Sequence, residues 1–235
     1  DMSNYVKNSK NKTVKLTIKR EEEEKEITIN RKKVEVPSVE SKIIEQDGKK
    51  IGYIDITVFS GVTYEQFKNQ LEKLEKKGIQ ALIIDVRNDS GGYLTAVTDI
   101  SSLFLKKGKT IYQLQEDKKK EVVKDKTNES RSYPVAVLVN AASASASEIL
   151  ASAIKESYGG LVVGTQTYGK GTVQKTKKLS DGSMIKYTIQ KWLTPNGNWI
   201  NEKGVTPTNA VEYEVTSEQD KQLQTATELL CKKIK

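Results

Sequence analysis

Short apolar segments that alternate with amphipathic helices restrict this chain of 235 residues to an α/β architecture. Segments 81–86 and 133–139 are mostly apolar, as strands are when both faces of a parallel sheet are covered. Helices are predicted at 63–77, 94–104 and 146–157, because their apolar residues recur every three or four positions. This β-α-β order predicts a sheet built with right-handed crossovers.

The N-terminal residues follow a different pattern. Apolar and polar residues alternate over 13–19 and 26–30 on either side of a charged run, which predicts a β-hairpin. A further strand is predicted at 33–36, just before Pro37. Because a hairpin and one strand bury little apolar surface, these residues are not expected to form a stable core alone.

Three parts of the chain follow from these patterns: an N-terminal segment at 1–37, a core at 38–215, and a C-terminal helix within 216–235, beginning near Ser217. At 26.3 kDa the chain is long enough for one sizeable core. No apolar run approaches the roughly 20 residues needed to cross a bilayer. With no signal-like segment after Asp1, we interpret the sequence as a soluble fragment or mature form.

The absence of histidine restricts the chemistry. A Ser-His-Asp triad, a cysteine-histidine pair and an HExxH zinc site all need an imidazole. The single cysteine, Cys231, excludes an intrachain disulfide and a four-thiolate metal site. We therefore expect no metal and no cofactor, and a lysine becomes the leading candidate for any catalytic base.

The net charge of +8 would suit a nucleic acid or an anionic membrane surface as partner. However, the basic residues are mixed with acidic ones, as at 19–26 and 116–126, and no base-stacking aromatic motif accompanies them. The composition predicts a lysine-rich, solvated surface and no nucleic-acid partner.

A glycine pair, Gly91-Gly92, follows the predicted strand at 81–86. In open α/β sheets the functional site lies beyond the carboxyl ends of the strands. Glycines let the backbone approach a ligand closely, so amides here could point at an oxyanion. By itself, such a pair is more often only a turn.

A loop of small residues, 140–147, follows the strand at 133–139 and leads into a helix. Free amides at a helix N-terminus favour a developing negative charge, which suits a nucleophile at Ser145. The alternative is a capping box, in which Ser145 only caps the helix and Glu148 reaches back to it. Taken alone, this segment favours the cap.

Lys170 lies between two glycines, just beyond the strand at 161–163. A lysine acts as a base only when neutral, so a pocket must lower its pKa from about 10.4 toward 7 to 8. If a strand begins at Thr172, then Lys170, Thr172 and Gln174 share one side of it. The neutral Gln174 amide could then orient the amine without holding it charged. Together, Ser145 and Lys170 indicate a serine-lysine hydrolase.

Several segments, as an ordered set, resemble the carboxyl-terminal processing (tail-specific) protease family. They are R-N-D-S-G-G (87–92), S-A-S-A-S-E-I (143–149), Y-G-K-G-T-V-Q (168–174) and T-P-N-G (194–197), and the match covers about residues 38–215. The resemblance implies an α/β core of stacked β-β-α units similar to crotonase and Clp-type proteases. It implies that Ser145 is the nucleophile, Lys170 the base and Gln174 its positioning residue. It also implies an oxyanion hole made by the amides of Ala146 and one glycine of the pair, for which we prefer Gly91.

The same resemblance implies cleavage of flexible protein substrates near their C-termini, outside the cytoplasm: in the periplasm, on the cell-envelope side or after secretion. Many bacterial members carry a PDZ domain before the core, whereas residues 13–31 resemble only its last strands. Membrane anchoring through an upstream region and a homodimer stay open. Two alternatives also stay open, a catalytically silent peptide-binding or scaffold protein on the same fold and a Ser-Lys amidase acting on small amides.

Overall fold

The structure is a computed structural model that describes residues 11–32, 36–213 and 219–234. The chain divides into two compact units, residues 1–36 and 37–235, and the C-terminal helix belongs to the second. Within the described ranges, no helix combines the length and the apolar character that a bilayer span requires.

The first unit contains the predicted β-hairpin, which is confirmed. Strand β1 (Thr13–Arg20) pairs antiparallel with β2 (Glu23–Asn30) in an unbroken register from Thr13 opposite Asn30 to Arg20 opposite Glu23. The strand predicted at 33–36 lies outside the described residues, except for Val36.

The second unit alternates strands and helices as the periodicity predicts. Its strands are β3 (Val39–Gln46), β4 (Lys49–Ile56), β5 (Ala81–Asp85), β6 (Thr110–Glu116), β7 (Lys119–Lys124), β8 (Val135–Val139), β9 (Leu161–Gly164), β10 (Thr172–Lys178), β11 (Met184–Leu193) and β12 (Asn209–Ala210). Its helices are α1 (Thr63–Lys76), α2 (Leu94–Ser102), α3 (Ala146–Ala153), which continues as a π-helix over Ile154–Tyr158, and α4 (Lys221–Lys233).

A six-stranded sheet with the order β12-β9-β8-β5-β4-β3 forms the centre of the second unit. All neighbouring strands are parallel except β3, which runs antiparallel to β4 at the edge. The apolar strands β5 and β8 lie in the middle, and every residue in them is buried, as their composition predicts.

Helices cover both faces of this sheet. Helices α1, α2 and α3 enclose the larger core, to which Phe67, Ile100 and Leu150 contribute. Helix α4 covers the other face through Ala226 and Leu230, packing on β5, β8 and β9. The mixed α/β fold with a C-terminal helix is confirmed, and the carboxyl ends of β5 and β8 are left to carry loops.

Local boundaries differ from the prediction in three places. Helix α1 begins at Thr63 as predicted but ends at Lys76 instead of residue 77; its N-cap is Val62, and the Thr63 hydroxyl donates to the Val58 carbonyl at 2.9 Å. Helix α3 widens into the π-helix after Ala153 instead of running regularly to residue 157. Helix α4 begins at Lys221, and the predicted start at Ser217 lies outside the described residues.

A second sheet, with the order β10-β11-β6-β7, carries the segment that follows Lys170. The hairpin of β6 and β7 was not predicted, because the run of charged residues near its turn hides the alternation.

Candidate active site

The loops that follow β5 and β8 are hydrogen-bonded to each other. The Asp89 carbonyl accepts the Ala144 N–H and the Ser147 hydroxyl, each at 3.0 Å. The Ser143 hydroxyl donates to the Val86 carbonyl at 2.7 Å. The glycine turn and the small-residue loop, which the sequence predicts at the same edge of the sheet, therefore form one joined structure.

Gly91 sits where these two loops approach most closely. Its φ is +97°, a value that favours glycine, and a Cβ at this position would lie 2.6 Å from the Ala144 carbonyl oxygen and 2.8 Å from Ser145 Cβ. No larger residue fits without moving the loop that carries Ser145.

Ser145 is the N-cap of α3 and has φ 56° and ψ −112°. A left-handed φ is uncommon for a serine, and such strain persists only when the surroundings enforce it. The residue is half-buried, and Ala146, which follows it, is the buried first residue of the helix. The Ala146 N–H donates to no described residue, as expected in the first turn of a helix.

The Glu148 carboxylate joins the Ser145 loop to the segment that carries Lys170. Glu148 is fully buried, and its Oε2 accepts the Ser145 N–H at 2.8 Å and the Lys170 N–H at 2.9 Å. Its Oε1 accepts the Thr167 hydroxyl at 2.6 Å and the Gly169 N–H at 2.7 Å. The capping-box geometry is present, as the sequence suggests. The contacts of Glu148 with residues 167–170 are not visible in the sequence, because no local motif links Glu148 to that segment.

Lys170 lies in a tight turn whose backbone is held on both sides. In addition to the Glu148 contact, the Lys170 carbonyl accepts the Trp192 indole N–H at 2.6 Å. The residue is half-buried. In this conformation no hydrogen bond joins Lys170 Nζ to the Ser145 hydroxyl.

An open cleft of about 610 Å³ lies beside this turn. Lys170, Thr172 and Gln174 all line it, as their spacing on a strand suggests, although a bulge between Val173 and Gln174 interrupts the pairing with β11. The remaining lining residues are Ser90, Ala142, Ala144, Tyr168, Gly169, Asn201 and Glu202. The cleft brings the lysine and the glutamine together with the small-residue loop.

The two glycine amides have different environments. The Gly91 N–H, preferred from the sequence as an oxyanion donor, donates to Asp89 Oδ1 at 2.8 Å. The Gly92 N–H donates to no described residue. In this conformation the Gly91 amide is therefore occupied, whereas the Gly92 amide is available.

Asp89 is a buried acid that sequence reasoning did not single out. Its side chain is fully buried, and Oδ2 has no hydrogen-bond partner among the residues that the structure describes. The pKa of Asp89 is raised to about 7, mainly by burial and to a smaller degree by the Asp55 carboxylate, while hydrogen bonds from Gly91 and Ser147 oppose the rise.

The fold and the cleft together define a class of protein, an α/β serine-type peptidase domain. The profile described as "Peptidase family S41" matches residues 50–211, and the chain belongs to this family. The resemblance to carboxyl-terminal processing proteases that the motifs indicate is confirmed.

Relatives of this chain bear names of the same kind. "Carboxy-terminal processing protease CtpB" of Bacillus subtilis (strain 168) is 42% identical over 212 residues, which is 88% of this chain and 44% of the relative. "Probable CtpA-like serine protease" of Staphylococcus aureus (strain COL) is 39% identical over 205 residues, which is 86% and 40%. The chain thus spans less than half the length of these relatives.

Solved structures agree with the fold. The photosystem II D1 C-terminal processing protease superposes with a TM-score of 0.71 and 28% identity, covering 88% of this chain and 56% of that one. The tricorn protease, at 22% identity and a TM-score of 0.53, covers 80% of this chain and 18% of that one, and shows likeness of fold alone.

Proposed function

We propose that this chain is the catalytic domain of a serine endopeptidase in which Ser145 is the nucleophile and Lys170 the base. The observation that carries the proposal is the buried Glu148 carboxylate, which accepts the backbone N–H groups of both residues. A helix cap needs only the first of these contacts. The second fixes the lysine turn relative to the serine, as a two-residue catalytic unit requires.

The proposed reaction has two steps. Neutral Lys170 accepts the hydroxyl proton as Ser145 attacks a peptide carbonyl carbon, and the ammonium then protonates the departing amine as the acyl-enzyme forms. Lys170 next takes a proton from water, the resulting hydroxide attacks the ester, and the proton returns to Ser145 as the new carboxyl group leaves. Gln174, which lines the same cleft, orients the amine.

The oxyanion that forms in each step needs donors at fixed positions. We assign the Ala146 amide, at the positive end of helix α3, and a glycine amide of the turn. The Gly92 amide fits this role better in the observed conformation, because the Gly91 amide is already bound to Asp89. The Gly91 amide could serve only after Asp89 releases it.

The missing hydrogen bond between Lys170 and Ser145 favours the alternative of a silent scaffold. The peptidase proposal instead requires substrate in the cleft to shelter the lysine and direct its amine to the hydroxyl, since apo catalytic contacts are often long. Labelling of Ser145 by a fluorophosphonate probe in the presence of substrate peptide supports the peptidase. Labelling that is absent both with and without peptide supports the scaffold.

The proposed substrates are flexible protein tails, cut near their C-termini outside the cytoplasm. An open cleft walled partly by Ala142, Ala144 and Gly169 accepts an extended chain, and the names of the relatives refer to carboxy-terminal processing. Residues 13–31 are proposed to be the end of a PDZ domain. Cell fractionation tests the location. Comparison of one peptide with a free and an amidated C-terminus tests tail recognition, and cleavage that requires long peptides excludes a small-amide amidase.

The decisive test is cleavage of an unstructured protein by the wild type, Ser145→Ala and Lys170→Ala. Both variants should lose turnover almost completely. Lys175→Ala is the matched control, because Lys175 is an exposed lysine on the same strand as Gln174 and forms none of the contacts above. Near-wild-type turnover in either test variant would refute the assignment.

A further inference from the structure

Asp89 occupies an unusual position for an acid. It is fully buried between the two loops of the site, its main-chain carbonyl bonds both Ala144 and Ser147, and its side chain binds Gly91. One carboxylate oxygen thus accepts a hydrogen bond, and the other, Oδ2, accepts none from the described part of the chain. An asparagine would bind the Gly91 amide equally well, so the structure does not need a charge here.

We propose that Asp89 is a positioning residue of the peptidase site, whose side chain holds the glycine turn in place and whose ionisation weakens the oxyanion hole. The inference rests on the proposed function of Ser145 and Lys170. It goes beyond that function because it makes turnover depend on a group that does not touch the substrate.

The geometry explains why the charge matters. Asp89 binds the amide of Gly91, and a Cβ on Gly91 would lie 2.8 Å from Ser145 Cβ and 2.9 Å from the Ala146 nitrogen, so only Gly91 separates the carboxylate from the amide assigned to the oxyanion hole. Two negative charges close together in a buried site are unfavourable. A neutral Asp89 leaves the hole able to stabilise an oxyanion, whereas an ionised Asp89 opposes it.

The surrounding charges do not relieve this repulsion. The carboxylate of Asp55, on β4, acts on Asp89 and favours its neutral form. Arg87, two residues away, is already engaged by Asp85 at 2.6 Å and by Asp220 at 2.8 Å. Glu148, on helix α3, has both oxygens occupied by hydrogen bonds. Burial thus raises the pKa of Asp89 to about 7, and none of the described Lys or Arg side chains pairs with it.

The test compares Asp89→Asn and Asp89→Ala with the wild type in the full-length protein. Asparagine keeps the acceptor for Gly91 but cannot ionise, whereas alanine removes both properties. The kcat and KM for a quenched fluorescent peptide would be measured from pH 5.5 to 9. The ratio of two kcat values at each pH removes any pH dependence that the two proteins share.

The kcat ratio of Asp89→Asn to wild type should rise by about fivefold or more between pH 6 and pH 8.5, as the wild-type carboxyl ionises. Asp89→Ala should lose kcat at all pH values with KM changed less than about twofold, and asparagine should restore it. A ratio constant within about twofold across the range would overturn the inference, as would full kcat in Asp89→Ala. If Asp89→Ala fails to fold, the asparagine series decides alone.

The two proposals fail separately. Loss of turnover in Ser145→Ala together with a flat asparagine ratio refutes the role of Asp89 and leaves the peptidase proposal intact. Full turnover in Ser145→Ala refutes both.

Discussion

Replacing Glu148 with glutamine tests whether this carboxylate holds the site together. Glutamine is nearly the same size, but it offers one acceptor oxygen and one NH₂ group in place of two acceptor oxygens. If its oxygen keeps the Thr167 and Gly169 donors, its NH₂ group faces the N–H groups of Ser145 and Lys170. Two buried donors then lose their acceptor.

The magnitude follows from that count. Leaving one buried donor unsatisfied destabilises a protein by about 1–3 kcal/mol, so the loss of two acceptors in Glu148→Gln should lower the free energy of unfolding by about 2–6 kcal/mol. Since domains of this kind are stable by only about 5–15 kcal/mol, the variant should fold but melt early. A shift of about 1 Å between the serine and the lysine turn should reduce kcat on the order of a hundredfold.

Urea denaturation gives the stability change, and cleavage of an unstructured protein gives kcat. Glu45→Gln is the control, because Glu45 is an exposed glutamate on β3, and it should leave both quantities unchanged. If Glu148→Gln unfolds within about 0.5 kcal/mol of the wild type and keeps its kcat, Glu148 is only a helix cap and the argument for a joined catalytic unit fails.

Three further predictions concern the residues around the site. Gly91→Ala should abolish turnover and lower the melting temperature, because the alanine Cβ would clash with the loop that carries Ser145 and because a φ of +97° is strained for alanine. Normal activity of this variant in a turnover assay would contradict the prediction. Burial raises the pKa of Asp89 from 3.8 to about 7, so its ionisation destabilises the folded state. Relative to Asp89→Asn, the free energy of unfolding of the wild type should fall by up to about 4 kcal/mol as the pH rises from 4 to above 7. Urea denaturation at each pH measures this difference, and a difference that does not change with pH refutes the prediction. Arg87→Met leaves the buried Asp85 carboxylate without its ion-pair partner and should lower the free energy of unfolding by about 3–5 kcal/mol. An unchanged midpoint of urea denaturation would contradict the ion-pair argument.

The sequence predicts much of the fold because the strongest signals are local. Segments 81–86 and 133–139 are apolar enough to identify central strands, and the hairpin at 13–30 follows from simple alternation. The hairpin of β6 and β7 was not predicted, because charged residues interrupt the alternation of apolar and polar positions. Strand β12 was not predicted, because a strand of two residues is too short to show a periodic pattern.

The site was predicted unevenly for the same physical reason. Motif spacing makes Ser145, Lys170 and Gln174 the candidate residues, and in the structure Glu148 joins the loops that carry the first two. Sequence spacing does not predict which distant groups a buried side chain will contact. The hydrogen bond from the Lys170 N–H to Glu148, 22 positions away, and the one from the Gly91 N–H to Asp89 depend on tertiary packing. For Asp89, the sequence shows only an acidic residue next to the small residues Ser90, Gly91 and Gly92, and its burial is known from the structure alone.

The parallel pairing of β8 and β9 determines what can still move in this site. Leu138 lies opposite Val163 and Val139 opposite Gly164, so the loops with Ser145 and Lys170 extend from adjacent strands. Slipping one strand by a residue would exchange the side chains that pack on the two opposite cores, so the register is fixed. The four-carbon side chain of Lys170 is not fixed by this register. If its rotation alone brings the amine to Ser145, assembly of the proposed dyad is a rotamer change on the picosecond-to-nanosecond scale rather than a slow rearrangement of the backbone.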